Sequence, residues 1–455
     1  MLDKYVQQEQ IEKLKIFLPA QSKSKELAPS FNLNIITQFY PPDYAATGQL
    51  IEELAVNLGR LGIQVRVFTG QPGYAFKKHA APNIERSEKI LIRRSRTSRM
   101  WNARIRGKAI NGCLFFFRAI LHLLNKKNRG DLLLLTTAPA FLPIVGYIAK
   151  LLFGIPYVCL MYDLYPDVAV ELDIFSRKNW LVKWWRLLNK KVWHNSEKII
   201  VLSSTMREKV LSHSPEMSDK IVVIHNWANP NWIVPIEKEN NWFAQKYELV
   251  NTFTVQYSGN MGRCHELDTI LEAARQLQDE PIQFVFIGGG AKFQSSLECV
   301  KKLGLNNCRF LPYQEKQDLP YSLTACDLSL VSISPKMEGI VAPSKLYGIL
   351  ASGRPVAAIC ETHSYLRHLL RESGCGAAFN SGDASGLAQF IRRLKSDREL
   401  VKQMGMAGRQ YLQFNFTPEI IAKQYSTVLQ QAFLTANRRV IRSKTNNVDA
   451  VTEES

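Results

Sequence analysis

Short, unbroken apolar runs recur along the chain, separated by longer stretches whose apolar positions fall at helical spacing. A first series comprises FNLNIITQFY (31–40), QVRVFTG (64–70), KILIRR (89–94), DLLLLTT (131–137), PYVCLMYD (156–163), KIIVLS (198–203) and IVVIHN (221–226). A strand covered by helices on both faces reads as such a run rather than as an alternation. The amphipathic stretches 48–61 and 180–194 supply covering helices. The pattern is a βαβ succession and predicts a doubly wound α/β domain. The segment NWANPNWIVPIEKENN (226–241) interrupts it with Asn, Pro and Trp and reads as a linker. A second succession follows, with runs at 252–259, 282–290, 308–313, 327–333 and 354–360.

The expected organisation has five parts. Residues 1–29 form a flexible extension with one short helix. A Rossmann-like domain spans 30–228 and a second spans 229–418. A helix over 419–436 packs back toward the first domain, and 437–455 form a disordered polar tail. The apolar stretch 132–161 is long enough for a membrane span, yet it holds Thr136, Thr137, Pro139, Gly146, Lys150, Gly154 and Pro156. It reads better as strand, turn, short apolar helix and strand.

Composition narrows the function classes. With 455 residues and 46% hydrophobic content the chain can fill two cores. A net charge of +18 suits anionic partners: phosphorylated substrates, lipid or nucleic acid. The eight cysteines are scattered without a CxxC pair, which reads as reduced thiols and a cytoplasmic chain. The first residues carry charges throughout and lack the apolar core of a signal peptide.

Four loops after strands carry candidate chemistry. In QFYPPDYAATGQL (38–50), Gly48 opens a helix whose N–H groups attract phosphate. In YSGNMGRCHELD (257–268), Gly259 and Asn260 lead into a loop tipped by Arg263 and His265. Arg263 can grip two phosphate oxygens at once. FIGGG (286–290) places Gly288 and Gly289 where backbone can approach a nucleotide, and Tyr313 closes the next run. MEGIVAPSKLYGILASGRPV (337–356) is the strongest of the four. There Glu338 and Gly339 precede a helix start at Ser344, with Lys345 as a point charge beside free N–H groups. Glu338 is suited to accept hydrogen bonds from sugar hydroxyls.

The two βαβ halves, the PP…TG loop and PSKLYGILASGRPV resemble the GT-B glycosyltransferases of family four, over roughly residues 31–436. They are most similar to bacterial transferases of exopolysaccharide and O-antigen synthesis, of the L-fucosamine and colanic-acid type. The resemblance implies two Rossmann-like domains facing a cleft, a nucleotide-diphosphate sugar donor in the second domain and an acceptor in the first. It also implies retention of anomeric configuration, no cofactor and no metal, with the leaving phosphate taking the acceptor proton. The sequence departs from the family pattern at several points. The family's second glutamate falls at Gly348, Glu338 is displaced from the position of the first, and the usual lysine falls at His265. The usual histidine of the first domain falls near Tyr162–Asp163, leaving Asp163 and Asp167 as polar candidates at the reacting centre.

Charge and aromatic residues then suggest where the enzyme sits. From Arg86 to Arg129 there are thirteen Lys or Arg against one Glu, and CLFFFRAILHLL (113–124) lies inside that stretch. Together with NWLVKWWRLLNKKVW (179–193), this suits peripheral binding to an anionic membrane surface, the inner face of the plasma membrane, and a lipid-linked or saccharide acceptor. Phe115, Phe116, Phe117, Trp184 and Trp185 are the expected outward aromatics. Two other readings fit less well. A non-hydrolysing nucleotide-sugar epimerase needs paired carboxylates and a histidine by the sugar. Nucleic acid is not the expected partner, because no RRM, KH, helix-turn-helix or finger pattern accompanies the charge.

Overall fold

The computed structural model describes residues 31–43, 45–72, 81–87, 89–95 and 105–452. The extension expected over 1–29 and part of the basic stretch, 88 and 96–104, lie outside them. All twelve expected strands form. The first sheet contains β1 (Asn32–Ile36), β2 (Gln64–Thr69), β3 (Ile84–Ser87), β4 (Ile90–Arg94), β5 (Leu132–Thr136), β6 (Tyr157–Met161), β7 (Lys198–Val201) and β8 (Ile221–Val223). Their order is β3-β4-β2-β1-β5-β6-β7-β8, and only β3 runs antiparallel to its neighbour. The second sheet contains β9 (Phe253–Asn260), β10 (Ile282–Gly289), β11 (Cys308–Leu311), β12 (Leu328–Ser332), β13 (Val356–Ile359) and β14 (Gly376–Phe379). It is wholly parallel, in the order β11-β10-β9-β12-β13-β14.

Both sheets reverse their winding direction beside their first strand, between β1 and β5 and between β9 and β12. In open α/β sheets a crevice forms at the carboxyl ends of the strands at such a point, and ligands bind there. The loops at these ends of the two sheets meet. Asp163, just past β6, bridges Val341, and the Leu164 N–H donates to the Ile340 carbonyl at 2.9 Å. One buried cluster joins the halves, running from Leu33 and Val65 through Trp227 and Ile233 to Leu346, Tyr347 and Tyr425.

The last helix differs from expectation. It spans Pro418–Thr452 and so continues through residues expected to form an irregular tail. No Gly or Pro occurs after Pro418 to end it. It packs on the Ala46–Arg60 helix, stacking Phe433 on Phe31 at 5.0 Å and pairing Arg439 with Glu197 at 3.1 Å. The apolar stretch 132–161 resolves into β5, a helix over Pro143–Phe153 and β6. Among the described residues no helix is long and apolar enough to cross a membrane.

Candidate active site

The glycines of the second domain let two strands end almost in contact. Gly259 and Gly288 are register partners on β9 and β10, with φ of +118° and +134°. A Cβ on Gly288 would lie 2.1 Å from the Gly259 carbonyl oxygen, so no side chain fits there. Gly290 is equally crowded, by the Asn260 side chain and the Met261 carbonyl. The result is a floor of bare backbone, edged by Tyr313, whose hydroxyl donates to the Gly289 carbonyl at 3.2 Å. An open groove of ≈ 410 Å³ lies over Gly288–Gly290, walled by Phe293, Phe310 and Tyr313.

Lys345 reaches over this floor from the start of the helix Lys345–Ser352. Its Nζ lies 3.6 Å from the centre of the Tyr257 ring and 3.5 Å from the Asn260 carbonyl. No carboxylate pairs with it among the described residues. Loss of water therefore drives its pKa well below the ordinary lysine value. Neither the Ser344 hydroxyl nor any acidic residue caps the first turn of this helix. Its positive end thus adds to the ammonium.

His265 does not supply the charge that its alignment with a family lysine suggested. Its Nδ1 lies 2.9 Å from the Ser332 carbonyl, an acceptor only, so Nδ1 carries the proton. Burial, and then the Lys345 charge, push its pKa down to about 3, and the ring is neutral at physiological pH. It anchors the loop after β9 to the end of β12. Lys292, which the sequence pattern did not single out, donates to the His265 carbonyl at 2.6 Å and brings a second cation. Arg263 is exposed, with no ion-pair partner among the described residues.

On the facing domain, Thr137 Oγ1 accepts from the backbone N–H groups of Tyr162 and Asp163 at 3.0 and 3.2 Å. This fixes the turn that carries Asp163 to the cleft. Burial raises the Asp163 carboxyl to about 6, with no neighbouring cation among the described residues to oppose it. Glu338 crosses between domains, its Oε1 accepting from the buried Thr205 hydroxyl at 2.7 Å. Burial raises its pKa, against side-chain hydrogen bonds from Ser364 and Thr205 that lower it. Gly339 (φ +74°) lets that loop pass within reach of the Thr205 carbonyl, 2.6 Å from where a Cβ would stand.

Two further candidate residues make structural contacts. Asp167 stands apart from this cluster, bonded to Arg186 at 2.9 Å and His213 at 3.1 Å. Burial alone would raise its pKa, but the His213 bond and charge, with Arg186, bring it below the ordinary value. These bonds tie the helix start after β6 to two neighbouring helices of the first domain. Gly48 lets its helix press on the preceding loop, for a Cβ there would sit 3.0 Å from the Tyr40 nitrogen.

The unpaired Asp163 carboxylate should be a burden on the fold. An acid whose pKa is raised from 3.8 to about 6 destabilises the folded state once it ionises. The penalty is absent below pH 4, grows as pH rises through the interval, and is complete above pH 6. Asp163→Asn should therefore stabilise the protein at pH 7.5 by about 1–3 kcal/mol and leave it unchanged near pH 4. Denaturant midpoints at the two pH values test this. Equal midpoints at pH 7.5 would mean that the carboxylate is well solvated.

The chain is similar to known proteins in sequence and in fold. Residues 46–227 match the glycosyl transferase 4-like domain model, and 239–411 match glycosyl transferases group 1. The chain is 27% identical over 326 residues to the probable glycosyltransferase WbjE of Pseudomonas aeruginosa, covering 70% of this chain and 80% of that one. It is 25% identical over 235 residues to the putative colanic acid biosynthesis glycosyl transferase WcaI of Escherichia coli K12, covering 51% and 56%. The crystal structure of Anabaena Alr3699/HepE in complex with UDP and glucose superposes with a TM-score of 0.64 at 16% identity, covering 88% of this chain and 99% of that one.

Proposed function

Because the chain belongs to the group 1 glycosyltransferases and has the GT-B fold, we propose that it moves a hexosyl or N-acetylhexosaminyl group from a nucleoside-diphosphate sugar to a lipid-linked or saccharide acceptor in cell-surface glycan synthesis. The observation that carries this is Lys345. A desolvated ammonium without a counter-ion, beside an uncapped helix start and over a side-chain-free strand floor, is a site waiting for a polyanion. A diphosphate restores the lost solvation and draws the lysine back to full protonation. Tyr313 and the groove over Gly288–Gly290 suit the nucleoside. Glu338, held at the cleft by Thr205, is a carboxylate suited to accept from a sugar hydroxyl.

Transfer then proceeds with retention. Charge grows on the leaving diphosphate as the glycosidic bond breaks, and Lys345, Arg263 and the helix start stabilise it. The acceptor enters from the first domain beside Asp163, and the departing phosphate oxygen takes its proton. These cations do the work that a divalent metal does in other transferases, so turnover should be the same with and without EDTA. The test is to screen nucleotide sugars by thermal stabilisation, and then to assay transfer with the best donor and a lipid or saccharide acceptor. A ligand at a hundred times its Kd stabilises by about 2.7 kcal/mol. Loss of turnover in EDTA with recovery on adding Mg²⁺ or Mn²⁺ would overturn the metal-free part. The absence of stabilisation by any nucleotide sugar would overturn the donor class.

The first domain offers a membrane-facing side. The helices Ile105–Leu124 and Trp180–Asn195 both pack against Pro143–Phe153. They expose Phe117, Leu121 and Leu124; Leu151 and Leu152; and Trp180, Trp184 and Leu187. An apolar patch of this kind bordered by lysines marks an interaction surface. The aromatic residues divide differently from expectation. Phe115 is core, packed 5.6 Å from Phe68, and Phe116 is partly buried. Trp185 turns inward to stack on Tyr165, while Trp180 is 71% exposed.

A further inference from the structure

On the first sheet, beyond the carboxyl end of the Ile105–Leu124 helix and away from the cleft, lies a second basic cavity. It measures ≈ 110 Å³, and its chemistry comes from Asn34, Arg66, Arg93, His122, Lys127 and Asn128. Among the described residues no carboxylate lines it. The side chains of Asn34, Arg66 and Arg93 share one face of the sheet, because Asn34 pairs with Arg66 and β4 follows in register. Each arginine uses one Nη1 to hold the turn that closes the cavity. Arg66 donates to the Lys127 carbonyl at 2.6 Å and Arg93 to the Asn128 Oδ1 at 2.8 Å. Among the described residues their other donors have no partner, and the Arg93 Nε is buried without one.

The helix end does not cancel this charge. Its last carbonyls are already taken: His122 by the Asn128 amide at 3.0 Å, Leu123 and Leu124 by Arg129 at 2.9 and 3.1 Å. The Asn34 amide donates to the Asn128 carbonyl at 2.7 Å, which fixes its orientation. That leaves its Oδ1 as an acceptor, buried and unpaired. Asn34 itself is 1% exposed. The cavity therefore offers many donors from cations and, in Asn34 Oδ1, a fixed acceptor. That pattern matches a singly protonated phosphate, either hydrogen phosphate or the monoanion of a phosphate monoester, which has charged oxygens and a single P–OH. Sulfate has no proton to give.

We propose that this cavity is a phosphate-monoester site, separate from the donor site, with Arg66, Arg93 and Lys127 binding the oxygens and Asn34 Oδ1 accepting from the P–OH. The ligand is a free phosphate or the headgroup of an anionic lipid, since the exposed Leu121 and Leu124 lie on the same helix end.

His122 is the reporter. Its ring stacks on Phe68 at 4.0 Å, and burial, followed by Arg93 and Arg66, holds its pKa near about 4. An anion beside it changes the field on a neutral ring. The full chain, labelled at its histidine rings, is titrated at pH 7 with inorganic phosphate, with sulfate, and with vesicles of phosphatidic acid or phosphatidylglycerol. The His122 signal is assigned with His122→Asn. Saturation by phosphate identifies a free ligand; saturation by phosphatidic acid alone identifies a lipid headgroup. Either supports the site if Lys127→Gln, a surface change that leaves the fold intact, and Arg66→Gln weaken binding at least tenfold. Lys345→Ala, which disables the donor site, should leave the titration unaltered. No movement of His122 with either phosphate source overturns the proposal. So do equal responses to sulfate and phosphate, or binding unchanged in Lys127→Gln and Arg66→Gln.

Discussion

Lys345→Ala should lower kcat by about 10²–10³-fold, the loss expected when one preorganised donor to a developing charge is removed. The lysine meets the diphosphate in a site where water has been displaced, so its contribution is not screened. Its charge counts for more as the glycosidic bond breaks, and kcat should fall more than KM rises. Lys345→Arg should recover only part of the rate, because the ammonium sits 3.6 Å over the Tyr257 ring and a longer planar head does not fit the same place. Arg263→Ala should have a smaller effect, since that side chain is exposed and its field is screened by solvent. The fold should tolerate the lysine change, because removing a desolvated ammonium relieves the empty enzyme. Equal kcat in Lys345→Ala and the parent, with the melting temperature unchanged, would remove the residue from the reaction.

The glycine-rich strand ends and the helix start at Lys345 in the second domain could be read from local sequence. Gly259, Gly288 and Lys345 each follow a run of buried strand residues or open a helix, and these local patterns fix where a backbone can approach a ligand. Two strands escaped the pattern for a physical reason. In β3, with sequence IERS, no residue is buried, and β14, with sequence GAAF, carries mostly small side chains at a sheet edge. Neither presents the apolar run that marks a strand covered on both faces.

Contacts between distant segments could not be read. Thr205 and Glu338 are 133 residues apart, and no spacing rule connects a hydroxyl at one helix start to a carboxylate in another domain's loop. The same holds for Thr137, which stood out in the sequence only as a polar interruption of an apolar stretch. Asp163 and Asp167 look alike in MYDLYPD, yet a turn of chain sends one to the cleft and the other to Arg186 and His213. The burial of Phe115 against the exposure of Phe117 depends on which face of one helix meets the sheet. An all-round apolar stretch such as CLFFFRAILHLL leaves that face undetermined.

Binding to anionic vesicles should fall on the order of 10³-fold between 0.1 and 1 M salt, where the Debye length shrinks from about 10 to about 3 Å. Near the exposed apolar side chains stand Lys126, Lys127, Lys178, Lys183 and Lys191, all exposed. Each lysine close to an anionic surface contributes about 1 kcal/mol, so losing most of them removes several decades of affinity. Trp180, Trp184, Leu187 and Lys191 fall on one side of their helix at spacings of three and four, and Lys183 flanks them. That side presents aromatic anchors and charge to the same plane. Trp180→Ala with Trp184→Ala should cut retention at low salt while changing stability by less than about 1 kcal/mol, because both side chains are largely in water, 71% and 57% exposed. Trp185→Ala should do the reverse, costing stability through its stack on Tyr165 with little change in retention. Salt titration of vesicle sedimentation, with denaturant midpoints for each variant, separates the two. Equal partitioning to neutral and anionic vesicles would show that the lysines are an ordinary solvated face, and would favour a soluble acceptor.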